Sequence, residues 1–204
     1  MFNRRLFLTT AFAALAAPYA WAQHADLEPG AAEALNDERP RRYMMEDLYG
    51  NAVTNEDFQG RFLLVYFGYT GCPDVCPTSL STMADALDLL GEDADKLTPV
   101  FVTVDPEQDT AKLLQEYLAF FDKRIVGLRG PKAYTDHMVK VFNARYQKNI
   151  SDPARPDLYT MDHTASMAFL DPAGMLIKRY PHGTAAEDMA ADMRSIMAVE
   201  GGNG

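Results

Sequence analysis

Two apolar runs limit what this chain can fold into. "RFLLVYFGY" (61–69) and "LTPVFVTVDP" (97–106) are nearly continuous strings of Val, Leu, Phe and Tyr, without polar alternation. A strand that alternates has one wet face. A strand that does not is buried on both, as central strands of α/β sheets are. Between the runs lies "PTSLSTMADALDLLG" (77–91), where Leu80, Met83, Ala84, Leu87 and Leu90 recur at helical spacing. Pro77 stands near its start and Gly91 at its end, where helices tolerate the one and use the other. The spacing therefore predicts strand, helix, strand.

The remaining segments extend that pattern. "RYMMEDLYGNAVT" (42–54) reads as a short hairpin turning at Tyr-Gly-Asn. "TAKLLQEYLAFFD" (110–122) reads as a second helix, "IVGLRG" (125–130) as a short strand and "PKAYTDHMVKVFNARY" (131–146) as a third helix. "QKNISDPARPDLYTMDH" (147–163) is polar, carries prolines and reads as a long functional loop. "SMAFLDPAGMLIKRYP" (166–181) reads as a hairpin and "TAAEDMAADMRSIMAVE" (184–200) as a closing helix. That order predicts an α/β fold of thioredoxin-like layout: a mixed central sheet flanked by helices, with an N-terminal β-hairpin.

The N-terminal end reads differently. Met1–Arg5 is basic, Leu6–Ala17 is an apolar run of 12 residues, and "AWA" (20–22) is a small-x-small cleavage site before Gln23. These are the parts of a secretory signal peptide over 1–22. "NRRLFL" (3–8) resembles a twin-arginine signal without its usual first Ser or Thr, which leaves the export route open. The alternative is an uncleaved anchor, against which stands the run's length, since a spanning helix needs about 20 residues. Residues 23–42, rich in Ala, Glu and Pro, read as a flexible tether, and 43–200 as the folded domain. Export implies a periplasmic protein. A net charge of −10, more negative still once Arg4 and Arg5 are cleaved off, argues against a nucleic-acid partner.

"GYTGCPDVCPTSL" (68–80) holds both cysteines of the chain, Cys72 and Cys76. A structural disulfide, a redox pair and a metal site are the three readings. A disulfide closing so short a loop stabilises little. On a helix the i, i+4 spacing puts both thiols on one face, and a helix N-terminus stabilises thiolates. Thiolates are soft ligands for Cu(I), zinc or iron–sulfur. Two of them make an incomplete site, so a third donor is needed. Of His24, His137, His163 and His182, His163 in "MDHTAS" lies just before a central strand, at a loop that approaches the cysteines in a thioredoxin-like fold. Position alone leaves it open as a ligand; the other three read as solvated. Asp105, Asp74 and Asp162 are candidate neighbours of the site, and Asp109 or Thr110 is the expected N-cap of the helix after "TVDPEQD", with Asp109 favoured. Met44, Met45 and Met161 are soft but read as core.

"YFGYTGCPDVCPTSL", "VTVDPEQDT", "DHTASMAFLDPAG" and "EDLYGNAVT" together resemble the Sco/SenC family, over residues 43 to about 199. Its members are exported copper-binding proteins that help assemble the CuA centre of cytochrome c oxidase. The resemblance implies copper, Cu(I) or Cu(II), held by Cys72, Cys76 and His163, and a metallochaperone rather than an enzyme. The implied partner is the CuA-bearing oxidase subunit, with another periplasmic copper chaperone or a thiol reductase as further partners. The chain departs from the family at Gly71, where a bulkier residue is usual. Two alternatives stay open: a thiol-disulfide oxidoreductase that reduces the CuA-site cysteines through a Cys72–Cys76 disulfide, or a copper or redox sensor. The Trp-Cys-x-x-Cys motif of thioredoxins is absent, since Gly71 precedes Cys72 and three residues separate the cysteines.

Overall fold

The computed structural model describes residues 40–200. The leader expected over 1–22, most of the tether over 23–42 and His24 lie outside the described residues. Among the described residues no helix is long and apolar enough to cross a membrane.

The elements run β1 (Met44–Asp47), β2 (Ala52–Thr54), β3 (Phe62–Gly68), α1 (Val75–Leu90), β4 (Leu97–Thr103), α2 (Ala111–Phe121), β5 (Val126–Arg129), α3 (Lys132–Val141), β6 (Tyr146–Ile150), β7 (Tyr159–His163), β8 (Met167–Leu170), β9 (Leu176–Tyr180) and α4 (Ala186–Glu200). Seven strands form one sheet in the order β2-β1-β5-β4-β3-β8-β9. β3, β4 and β5 are parallel, while β1, β8 and β9 join antiparallel. This is the mixed, helix-flanked sheet that the order of elements predicts, with β1 and β2 as the N-terminal hairpin.

β3 is central because it can be: every residue from Phe62 to Gly68 is buried. Leu64, Val65, Tyr66 and, on β4, Val100, Phe101 and Val102 have no exposed surface. Each such side chain contributes about 1.5–3 kcal/mol of burial. α1 begins at Val75, before Pro77, so Cys76 sits in its first turn and Cys72 in the loop before it. Gly91 ends α1 with a positive φ of 59°, which Gly adopts without strain.

The structure departs from the sequence reading in three places. The long loop of 147–163 is mostly a two-stranded sheet of its own, β6 pairing antiparallel with β7 from Tyr146↔His163 to Ile150↔Tyr159. β7 alternates, with Tyr159, Met161 and His163 inward and Thr160 and Asp162 exposed, but β6 is largely exposed and the prolines between the strands make the segment read as a loop. The helix expected to reach Tyr146 stops at Val141. Asn143 follows with φ 46°, and the Ala144 N–H closes onto the Val139 carbonyl at 2.9 Å, as in helix ends where Asn replaces Gly. Finally, Thr110 caps α2, accepting from the Leu113 N–H at 3.2 Å. Asp109, the favoured of the two candidates, is fully buried and turned elsewhere.

Candidate metal centre

The carboxyl end of β3 delivers the loop that carries Cys72, and the first turn of α1 carries Cys76. β7 ends at His163. These three side chains each offer one ligand atom, and the atoms all lie within 4.8 Å of one another. Cys76 Sγ stands 3.2 Å from His163 Nε2. The Cys76 N–H donates to Cys72 Sγ at 3.3 Å. Both cysteines are free, Cys76 buried and Cys72 half-buried.

The imidazole tautomer follows from its other nitrogen. His163 Nδ1 faces the Thr164 carbonyl at 3.2 Å, which can only accept, so Nδ1 carries the proton. Nε2 then holds a lone pair aimed at Cys76. Burial pushes the His163 pKa down, against opposing contributions from Thr164 and Asp162, and keeps the ring neutral. Tyr66 and Tyr69 wall the imidazole edge-on, each ring centroid 6.0 Å away.

The donor set fits a soft metal ion: two sulfurs and a fixed-tautomer imidazole. Bonds of about 2.0–2.3 Å, the lengths found at zinc, put ligand atoms about 3.5–4 Å apart. Cys76 Sγ and His163 Nε2, at 3.2 Å, need to open slightly to reach that, and any pair near the 4.8 Å limit needs to close by about an ångström.

The hairpin carrying His163 is tied to the sheet through polar contacts. The Met161 N–H donates to Tyr69 Oη at 3.2 Å. Tyr159 donates to Asp105 at 2.6 Å, and Lys148 to Glu107 at 3.0 Å. Asp105 thus acts on the hairpin. Asp74 is exposed and makes no side-chain cap. Asp162 is exposed and precedes His163 on the strand, so it points to the opposite face. His137 and His182 are exposed; His137 Nε2 donates to the Arg42 carbonyl at 3.1 Å, and His182 Nδ1 lies 3.1 Å from Ser79 Oγ. Met45 and Met161 are buried and Met44 exposed.

A model of the SCO1/SenC family matches residues 32–198. The chain belongs to the SCO1/SenC family. Protein sco1 of Schizosaccharomyces pombe is 38% identical over 151 residues, 72% of this chain and 57% of that protein. A SCO2-like protein of Rickettsia felis is 36% identical over 138 residues, 66% and 65% of the two lengths. The chain thus spans well over half, but under two thirds, of the length of these two relatives. Among solved structures, Bradyrhizobium japonicum ScoI with copper bound is 36% identical with a TM-score of 0.68, over 76% of this chain and 96% of that one. Yeast Sco1 with copper bound is 28% identical with a TM-score of 0.69, over 76% and 85%.

Within this SCO1/SenC chain, burial overrides the helix N-terminus at Cys76. Desolvation, with Cys72 beside it, pushes the Cys76 thiol up to about 12, although a helix start by itself favours the thiolate. The folded state therefore binds this proton more tightly than the unfolded chain, whose thiol has the ordinary value of 9.0. The resulting stability is fully present below pH 9 and is lost as pH climbs toward 12. In Cys76→Ala the decline of the urea midpoint across that window should be shallower than in the parent protein. Parallel declines would show that Cys76 takes no part.

Residue-level reading of the sequence missed Gly68, Tyr69, Thr70 and Asp109 as parts of the site. Only Gly68 had a signal: a glycine ending a buried strand marks a close approach.

Proposed function

We propose that this protein carries copper as cargo, holding it through Cys72, Cys76 and His163, and delivers it to the CuA centre of cytochrome c oxidase. The observation that carries this reading is the Cys-Cys-His cluster itself, with its Nε2 lone pair turned toward the sulfur of Cys76. Two relatives solved with copper bound support the choice of ion. On loading, both thiols give up their protons and Nε2 exchanges its contact with Cys76 for the ion. Among the described residues no further His, Cys, Asp or Glu joins the cluster. A three-donor site leaves room for a ligand of the acceptor to enter, which suits handover.

A thiol-disulfide role is the second reading, favoured by the unequal exposure of the cysteines. Cys72 is the accessible thiol, and its sulfur accepts the Cys76 N–H. Cys72 would attack an oxidised CuA-site disulfide and Cys76 would resolve the mixed disulfide. Two electrons and two protons then pass to the target thiols, leaving a Cys72–Cys76 disulfide.

His163→Ala separates the two. Delivery predicts loss of CuA content and oxidase activity in cells carrying that variant, with thiol exchange spared, and no effect of His137→Ala or His182→Ala. Normal CuA loading in His163→Ala cells, with failure of both cysteine variants, would shift the function to thiol-disulfide reduction. We place the protein in the periplasm, on the strength of the leader over 1–22. The exported form should lack about 22 residues by mass spectrometry; a full-length mass in the membrane fraction would replace cleavage with anchoring.

A further inference from the structure

We propose that Asp109 is a positioning residue of the metal centre: its carboxylate grips Thr70 and so fixes the loop that carries Cys72. Asp109 has no exposed surface. One oxygen, Oδ1, accepts from the Thr70 hydroxyl at 2.5 Å. The other, Oδ2, accepts from the Thr103 hydroxyl at 2.5 Å and from the Thr70 N–H at 3.2 Å. Thr103 is the last residue of β4, in the middle of the sheet. Thr70 is two residues from Cys72. The carboxylate is thus a bridge from the rigid centre of the fold to the cysteine loop.

Apart from Tyr69 Oη, which accepts from the Met161 N–H of β7 at 3.2 Å, the loop's other bonds are local. Cys72 donates its N–H to the Tyr69 carbonyl at 3.3 Å, and the Thr78 N–H returns to the Asp74 carbonyl at 3.2 Å. They shape the turn without anchoring it to a distant element.

Helix capping does not account for Asp109, since Thr110 caps α2. Arg129 donates to the Asp109 backbone carbonyl at 3.3 Å, which fixes its main chain. The carboxylate's hydrogen-bond donors are the neutral groups of Thr70 and Thr103. Burying a carboxylate among neutral donors is costly, and burial here raises its pKa. In return, hydrogen bonds to an ionised acceptor are short and strong. Their effect falls where a metal site requires it, on the placement of one sulfur relative to the other two donors.

The consequence for copper rests on the proposed delivery function; the geometry does not, so the test has two arms. The first uses reduced, metal-free protein in a Cys76→Ser background and measures the rate of iodoacetamide alkylation of Cys72 at fixed pH. Asp109→Asn and Thr70→Val should each speed alkylation, and the double variant should be no faster than the larger single one, because both cut the same link. Thr103→Val cuts the same bridge from the strand side and should also speed alkylation, whereas Thr110→Val removes only the α2 cap and serves as the structural control, with lowered stability and little change in rate. The second arm titrates the variants, with Cys76 intact, with Cu(I) for affinity and separately with Cu(II) to record the Cu(II)–thiolate absorption. Asp109→Asn and Thr70→Val should bind about 10–100-fold more weakly with a shifted band. Unchanged alkylation in folded Asp109→Asn overturns the proposal, as does a Thr110→Val rate equal to that of Asp109→Asn. Should Asp109→Asn fail to fold, Thr70→Val decides alone. Should the parent protein bind no copper, the delivery function falls and the alkylation rates still decide the role of Asp109.

Discussion

Replacing Cys76 by serine is expected to abolish tight copper binding while the fold stands. The substitution exchanges a soft sulfur for a hard hydroxyl that stays protonated and cannot hold Cu(I) as a thiolate does. The loss should exceed the roughly 10–100-fold that follows removal of an outer partner of a ligand. The structural cost is small for a specific reason. Serine is close to cysteine in volume, so no cavity opens, and His163 Nε2, 3.2 Å from the present sulfur, can accept from the new hydroxyl. A net change of about 1 kcal/mol is the scale of one such exchange. Competition titration with a Cu(I) chelator, alongside urea unfolding, reads both quantities. Parent-like affinity in Cys76→Ser would remove Cys76 from the ligand set.

Gly68→Val is expected to damage both stability and site. Gly68 ends β3, where the chain leaves the sheet for the cysteine loop. A Cβ there would lie 2.8 Å from Phe101 Cε2 and 3.0 Å from Cys76 Sγ. The Phe101 ring is itself fully buried and packed against Tyr66 and Tyr117, so it has nowhere to retreat. Valine adds two methyl groups to that first clash. Overpacking of this kind costs about 1–3 kcal/mol, at times more, and the softer side to yield is the Cys76 sulfur. Copper affinity should therefore fall together with the unfolding midpoint. A Gly68→Val protein with parent stability and an unaltered Cu(II) spectrum would mean that this corner of the core has slack the packing does not suggest.

How far the site was legible in the sequence varied residue by residue. Cys72 and Cys76 announced themselves, as the only cysteines of the chain, at the end of a buried strand. His163 was reachable only as one of four histidines, picked out by its place before a central strand and by the family resemblance. Its actual carrier is the β6–β7 hairpin, whose sequence reads as a loop. The hairpin is held against the sheet by partners far along the chain, Tyr69 with Met161, Asp105 with Tyr159 and Glu107 with Lys148. No window of local sequence contains such pairs. Asp109 follows the same logic: beside Thr110, an acid just before a helix looks like a cap, and only the fold brings Thr70 and Thr103 to it.

By itself the sequence determined the layer architecture, because unbroken apolar runs and helical spacing are local signals of what must be buried. It also determined the donor chemistry, because the identity of soft ligands is a matter of residue type. The tertiary structure alone decided strand order beyond neighbours, the tautomer of His163, the raised pKa of Cys76, and which carboxylate holds the cysteine loop. Those depend on distances between residues tens of positions apart, and on how much water the folded chain leaves around each group.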